Sequence, residues 1–149
     1  MKVKEIMTKK VTSLSPEANA KDALSLLQEQ EISGLPVIDE ENKLVGMFTE
    51  KEILSVILPS YVEKVGRFIY QENPKVVNQK IAALNNMKVK DAMRKDVVTV
   101  DEDTTLCEVA RIMLTQKARR MPVLNKSGDV VGIVARCDVV RALFLNAGK

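Results

Sequence analysis

The feature that most constrains this chain is that it contains itself twice. Shifted by 86 residues it aligns on itself without a gap. Met1-Lys2-Val3-Lys4 falls on Met87-Lys88-Val89-Lys90, Met7 on Met93, and Lys9 and Val11 on Lys95 and Val97. Gln30, Pro36, Val37, Val45 and Gly46 fall on Gln116, Pro122, Val123, Val131 and Gly132. A repeat of this period is one supersecondary unit that cannot enclose an apolar core alone. Two copies can, because a folded chain of this size buries roughly 68–70% of its unfolded surface. The repeat therefore predicts one pseudo-two-fold module of mixed α/β (α+β) class, its copies packed sheet to sheet. Repeat 1 spans 1–58, a helical insert or linker 59–88, and repeat 2 with a short tail 89–149.

Each copy reads β-α-β-β-α. A β-rich stretch (Val11–Leu14; Val97–Val100) leads through a polar turn to a helix. Apolar residues at Ala20, Ala23, Leu24 and Leu27, and at Leu106, Val109, Ala110, Ile112 and Met113, give that helix one stripe of period 3.6. Thr105 with Glu108, and more weakly Asn19 with Asp22, has capping-box spacing. Two short strands around a polar turn follow (Pro36–Ile38 and Leu44–Phe48; Pro122–Leu124 and Val130–Val134), and a helix over Glu50–Leu58 or Arg136–Leu145 closes the copy. In the insert, Tyr61, Val65, Phe68 and Ile69, then Val77, Ile81 and Leu84, predict two helical stretches broken at Asn73-Pro74. They read as a connector packed on the domain, or as a docking surface or lid.

Composition excludes whole classes of chemistry. There is no histidine, hence neither the commonest general base nor the commonest metal ligand. Cys107 and Cys137 form no C-x-x-C pair, which leaves a zinc or redox site without ligands. With no secretory leader they read as reduced thiols in the cytoplasm. The apolar runs fall far short of the roughly 20 residues of a membrane helix. A net charge of +3 is mildly basic. The scattered Lys88, Lys90, Arg94, Lys95, Arg119 and Arg120 lack the interleaved aromatics of a single-strand binder, so nucleic acid is a poor partner. No acid/base pair, activated nucleophile or metal cluster is readable, and the chain reads as no enzyme.

Two motifs now carry a resemblance. Ile32-Ser33-Gly34-Leu35-Pro36-Val37, a turn, then Leu44-Val45-Gly46-Met47-Phe48-Thr49-Glu50-Lys51-Glu52 resembles the cystathionine β-synthase (CBS) domain. Ala118-Arg119-Arg120-Met121-Pro122-Val123, then Val131-Gly132-Ile133-Val134-Ala135-Arg136-Cys137-Asp138, resembles it again. The Val-Lys-x-x-Met openings, Val3–Met7 and Val89–Met93, are also typical. The resemblance covers both repeats and implies a tandem CBS pair. Such pairs bind adenosine nucleotides in clefts between the copies, usually dimerise, and regulate an enzyme, channel or transporter. In the family a G-x-x-[ST]-x-x-D run offers a hydroxyl to phosphate and an aspartate to the ribose diol. That chemistry is sensible, since a carboxylate is acceptor-only and a helix start adds N–H donors for phosphate.

The copies depart from that run in opposite ways. Copy one has Gly46 and Thr49 but Glu52 for the aspartate, whose extra methylene adds about 1.5 Å of reach. Copy two keeps Gly132 and Asp138 but has Ala135 for the hydroxyl, a loss of roughly 1.5–3 kcal/mol for one bond to a charged oxygen. The resemblance thus favours the Asp138 site. Arg119 and Arg120 stand where nucleotide-sensing members carry basic phosphate contacts, and Arg120 can be bidentate. By family geometry this site also takes Thr12, Ile32, Ser33, Gly34, Leu35, Pro36 and Ala135, with Ile32 and Leu35 as adenine walls. A second, weaker site joins Thr49 and Glu52 to Val98, Ala118, Met121 and Pro122.

Plainer roles stay open. Asp138 also reads as a first-turn helix carboxylate, Arg119 and Arg120 as solvated charge, and Thr49 as a helix N-cap. Gly46 and Gly132 read as strand-end backbone positions, Cys137 as an incidental thiol, and Met7 and Met93 as adaptable packing. The expected function is an adenosine-nucleotide sensor acting on a separate partner protein. The ligand would be AMP, ADP or ATP, with S-adenosylmethionine less favoured by Arg120. A ligand-free interaction or dimerisation module is the alternative. A homodimer is expected, through Ile53–Leu58 and Val139–Leu145.

Overall fold

The computed structural model describes residues 1–58 and 74–147, with side chains at 1–58 and 78–145. The expected helix bearing Tyr61, Val65, Phe68 and Ile69 lies outside the described residues. The chain divides into two compact units, and neither is contiguous. Unit 1 comprises Met1–Thr12, Glu40–Leu44 and Asp96–Lys149, and unit 2 comprises Ser13–Asp39 and Val45–Lys95. Each repeat has thus lent its opening segment to the unit built mainly from the other repeat.

Unit 2 holds α1 (Ala20–Glu29), β1 (Gly34–Ile38), β2 (Leu44–Thr49, in this unit from Val45 on), α2 (Glu50–Ile57), α3 (Pro74–Ala83) and α4 (Val89–Ala92). Helix α1 starts where the Asn19 side chain accepts from the N–H groups of Lys21 (2.9 Å) and Asp22 (3.1 Å). Its stripe enters a core of Leu14, Ala23, Leu27, Leu35, Val37, Phe48 and Ile53. Helix α3 opens on Pro74, a residue suited to the first helical turn, where its missing N–H leaves no bond unmade. Just beyond α3 the buried Leu84 enters this core while Ile81 stays 39% exposed.

Unit 1 holds β3 (Val100–Asp101), α5 (Leu106–Thr115), β4 (Arg120–Leu124), β5 (Val130–Ala135) and α6 (Arg136–Ala147). Strand β4 is central, parallel to β3 and antiparallel to β5. Its core joins Val100, Leu106, Val109, Met113, Met121, Val123, Val134 and Val139. The first strands are shorter than Val11–Leu14 and Val97–Val100 suggested. Leu14 makes a single parallel bridge with Val37, donating to the Pro36 carbonyl (2.9 Å) and accepting from the Ile38 N–H (2.9 Å). The next rung upstream needs an N–H on Pro36, which proline lacks. Pro122 stands in the same place beside Val100.

The exchanged segments are sewn in by backbone. In unit 1 the Val3 N–H donates to the Thr104 carbonyl (2.9 Å), and Thr8 and Ile133 exchange bonds of 2.9 and 3.0 Å. In unit 2 the Val89 N–H donates to the Ala18 carbonyl (2.8 Å), and Met47 and Arg94 exchange bonds of 2.9 and 2.8 Å. Val3 and Val89 are fully buried. Lysines flank both segments. Lys4 meets Asp103 at 2.9 Å, while Lys88 and Lys90 meet Glu17 at 2.6 and 2.9 Å.

The capping box at Thr105 is only half formed. Thr105 accepts from the Glu108 N–H at 3.4 Å, but the Glu108 carboxylate turns away to Arg111, with Nε at 2.9 Å. A charge-assisted pair with a planar guanidinium outcompetes one neutral N–H.

Candidate functional site

In both units the same three pieces meet at one corner, namely the start of a central strand, the end of its neighbour, and the helix that follows. The strand is reached by a tight turn out of the preceding helix. After α5, Lys117 is left-handed (φ 55°) and the Ala118 N–H returns to the Met113 carbonyl at 3.1 Å. After α1, Glu31 is left-handed (φ 53°) and the Ile32 N–H returns to the Leu27 carbonyl at 3.1 Å. Both are Schellman closures. They turn the chain sharply enough that Arg119 or Ser33 follows directly at the strand mouth.

In unit 1, Arg120 lies directly opposite Ala135 across the β4–β5 ladder. The Arg136 N–H donates to the Arg119 carbonyl (2.9 Å), and the Arg136 guanidinium donates through Nη2 to the Ala118 carbonyl (3.2 Å). Asp138 sits in the first turn of α6, and its Oδ2 accepts from the Ala135 N–H at 2.8 Å. That bond fastens the helix start to the strand end. The Cys137 sulfur lies 4.0 Å from Oδ1. The helix-carboxylate role of Asp138 is therefore real, and it occupies one of the two oxygens.

In unit 2 the Glu50 N–H donates to the Ser33 carbonyl (2.9 Å), matching the Arg136–Arg119 bond. The side chains differ. Thr49 occupies the N-cap position of α2 without accepting a backbone N–H there. Its hydroxyl instead donates to Glu52. The added methylene of Glu52 thus curls the carboxylate back onto Thr49. A Cβ on Gly34 would stand 2.7 Å from the Thr49 methyl. The corners have exchanged large for small: Arg120 opposite Ala135 in one, Gly34 against Thr49 in the other.

The remaining predicted residues divide between the units. Thr12 (exposed), Val98 and Ala118 (half-buried) and the buried Met121 and Pro122 belong to unit 1. Half-buried Ile32, exposed Ser33 and buried Leu35 and Pro36 belong to unit 2. Leu35 and Met121, expected as walls, are core side chains at 4% and 0% exposure. The strands turn these residues inward, which leaves Ile32, Val98 and Ala118 as the partly open apolar positions. Arg136 was not singled out by sequence. The signal lay in the repeat alignment, which sets it against Glu50. Among the described residues no group of three or more His, Cys, Asp or Glu could hold a metal, and no helix is long and apolar enough to cross a membrane.

With this geometry in view, comparison with known proteins is decisive. The CBS domain matches twice, over residues 3–59 and 89–145. The chain belongs to the CBS domain family. It is a tandem CBS pair, and the α+β fold agrees with solved pairs. The CBS domain-containing protein CBSX1, chloroplastic, of Arabidopsis thaliana is 35% identical over 94% of this chain, which spans 63% of that relative's length. The crystal structure of CBSX2 in complex with AMP superposes at a TM-score of 0.75, with 30% identity and 98% of both chains covered. The CBS pair of protein MJ0100, in complex with 5′-methylthioadenosine and S-adenosyl-L-methionine, superposes at 0.67 with 25% identity, over 96% of this chain and 99% of that one.

Proposed function

We propose that this CBS pair is a regulatory module that binds an adenosine nucleotide of the AMP, ADP or ATP type and acts on a separate partner protein. The observation that carries the reading is the unit 1 corner. There Asp138, anchored through Oδ2, shares one strand–helix junction with Arg119, Arg120 and the α6 N-terminus. The Oδ1 atom is the acceptor for a ribose diol, and the guanidinium groups receive phosphate together with the α6 N–H groups that follow Arg136, whose own N–H is held by the Arg119 carbonyl. Ala135, opposite Arg120 in the ladder, carries only a methyl group. The Thr49–Glu52 corner is the weaker site, because its hydroxyl and carboxylate already bond each other. CBSX2 with AMP and MJ0100 with adenosyl ligands support this ligand class. The module carries no reaction of its own. Its two free, exposed cysteines suit a reducing cytoplasm.

A second reading, a ligand-free dimerisation module, is favoured by one observation. Helix α6 buries Val139 and Ala142 but exposes Val140 (62%) and Phe144 (78%), and α2 likewise buries Ile53 while exposing Leu54 (55%). Apolar faces of this kind suit a homodimer.

Calorimetric titration of AMP, ATP and S-adenosylmethionine into wild type and Asp138→Ala, on protein whose mass is checked by sedimentation, separates the readings. We expect micromolar nucleotide binding that weakens at least tenfold, about 1.4 kcal/mol, in the variant. Binding that survives the substitution moves the ligand to the Glu52 corner. No heat from any ligand, with a dimer in sedimentation, leaves the interaction module.

A further inference from the structure

The two corners carry opposite charge, and the difference lies on side chains that the family motif does not name. In unit 1 three arginines (Arg119, Arg120, Arg136) and one carboxylate, Asp138, share the strand–helix junction, and one oxygen of that carboxylate accepts from the Ala135 N–H. The matching positions in unit 2 are Ser33, Gly34 and Glu50, with Lys51 and Glu52 beside them, so that two carboxylates and one ammonium stand there. We propose that the chain takes its phosphorylated ligand at the unit 1 corner alone, one per chain, and that Arg136 is the residue that makes this corner specific for phosphate. The inference rests on the nucleotide reading above and assigns that site its stoichiometry and its selectivity.

Arg136 is tied at both ends to the segment bearing the other two arginines. Its backbone N–H holds the Arg119 carbonyl, and its Nη2 holds the Ala118 carbonyl. A guanidinium has five N–H donors in a fixed fork, and this contact engages one of them. The contact holds the guanidinium beside the Ala118 carbonyl before any ligand arrives. Less side-chain freedom is then lost on binding, which is where pre-organised sites gain affinity. With Arg119 and Arg120 it supplies more positive charge than Asp138 cancels, matched to a phosphate bearing up to two negative charges.

The unit 2 corner is built against the same group. Glu50 stands where Arg136 stands, its N–H on the Ser33 carbonyl, so this corner carries a carboxylate in place of the guanidinium, an arrangement that discriminates between ligands. Of the two side-chain hydroxyls at this corner, Ser33 and Thr49, that of Thr49 already donates to Glu52. Gly34 contributes no side chain, and an arginine in its place would strike the Thr49 methyl.

The test compares AMP with adenosine, which shares the base and ribose and lacks the phosphate, by calorimetry on the full chain. Wild type is expected to bind one AMP per chain. Arg136→Glu, which copies the residue of repeat 1, is expected to weaken AMP at least tenfold and adenosine less than twofold, with an unchanged melting temperature. Arg136→Gln is the second variant, with the same expected direction, should the charge reversal fail to fold. Two AMP per chain would overturn the assignment to one corner. An equal loss of AMP and adenosine would show Arg136 to be structural and overturn its role in selectivity. If wild type binds neither compound, the nucleotide reading itself has failed, an outcome distinct from both.

Discussion

Gly46 and Gly132 show how a motif can be legible and its physical reason hidden. Both stand in the run that supplies nucleotide contacts in the family, and by sequence they read as strand-end backbone positions. In the structure they lie inside β2 and β5, beneath the exchanged segment that crosses the sheet edge. A Cβ on Gly132 would strike the Met7 side chain and come within 3.0 Å of the Thr8 carbonyl; one on Gly46 would reach Met93 Sδ at 2.6 Å and the Arg94 carbonyl at 2.8 Å. Backbone oxygens held in a ladder yield far less than a side chain does. Gly132→Ala should therefore destabilise by about 1–3 kcal/mol, the usual range for forced overpacking, seen as a lower urea midpoint. A midpoint equal to wild type would show that the segment lifts freely. The pairing of Met7 with Gly132 and of Met93 with Gly46 was present in the repeat all along. Nothing local links the members of each pair, so no sequence window could reveal it.

At the scale of elements, local signals served well wherever the stabilising contacts are themselves local. The apolar stripes of α1 and α5 and the Asn19 cap were readable because helical spacing and capping act within one or two turns. The helix exits were missed, since neither Glu31 nor Lys117 is the glycine that usually marks a Schellman closure. A left-handed backbone costs an L-residue roughly 1–2 kcal/mol. Lys117→Gly relieves that strain and is expected to raise stability by about 1 kcal/mol in urea denaturation, while Ala118 and Arg119 keep their places. A destabilised variant would mean that the lysine side chain contributes more than its backbone loses. The shortened first strands were equally unmarked, although Pro36 and Pro122 were in plain view. Their effect appears only once the parallel partner of each proline is known.

For the whole molecule, the consequential feature is the exchange of opening segments, each clipped by lysines to a carboxylate of its unit. The Lys88 and Lys90 hydrogen bonds hold Glu17 well below the ordinary carboxylate range, at about 2, and Lys4 lowers Asp103 in the same sense. A carboxyl whose folded pKa lies below its unfolded value of 4.5 stabilises the fold above that value. The contribution fades as pH falls from about 4.5 toward 2. Because these groups are exposed the effect is modest. Glu17→Gln should lower the melting temperature slightly at pH 7 and flatten the decline between pH 4.5 and 2, and parallel pH profiles for the two proteins would refute the clip.

The sequence by itself determined the duplication, the helix–strand–strand–helix run of each copy, the family, and the candidacy of Asp138, Arg119 and Arg120. Each follows from spacing along the chain or from a motif short enough to read. Tertiary structure alone decided which opening segment belongs to which core. It also decided that Glu52 turns back onto Thr49, and that Arg136 joins the other two arginines. These outcomes depend on which backbone carbonyl or side chain stands within hydrogen-bonding distance after folding. Contacts such as Lys4 with Asp103, or Arg136 with Ala118, are set by the closing of long loops, and linear spacing carries no record of them.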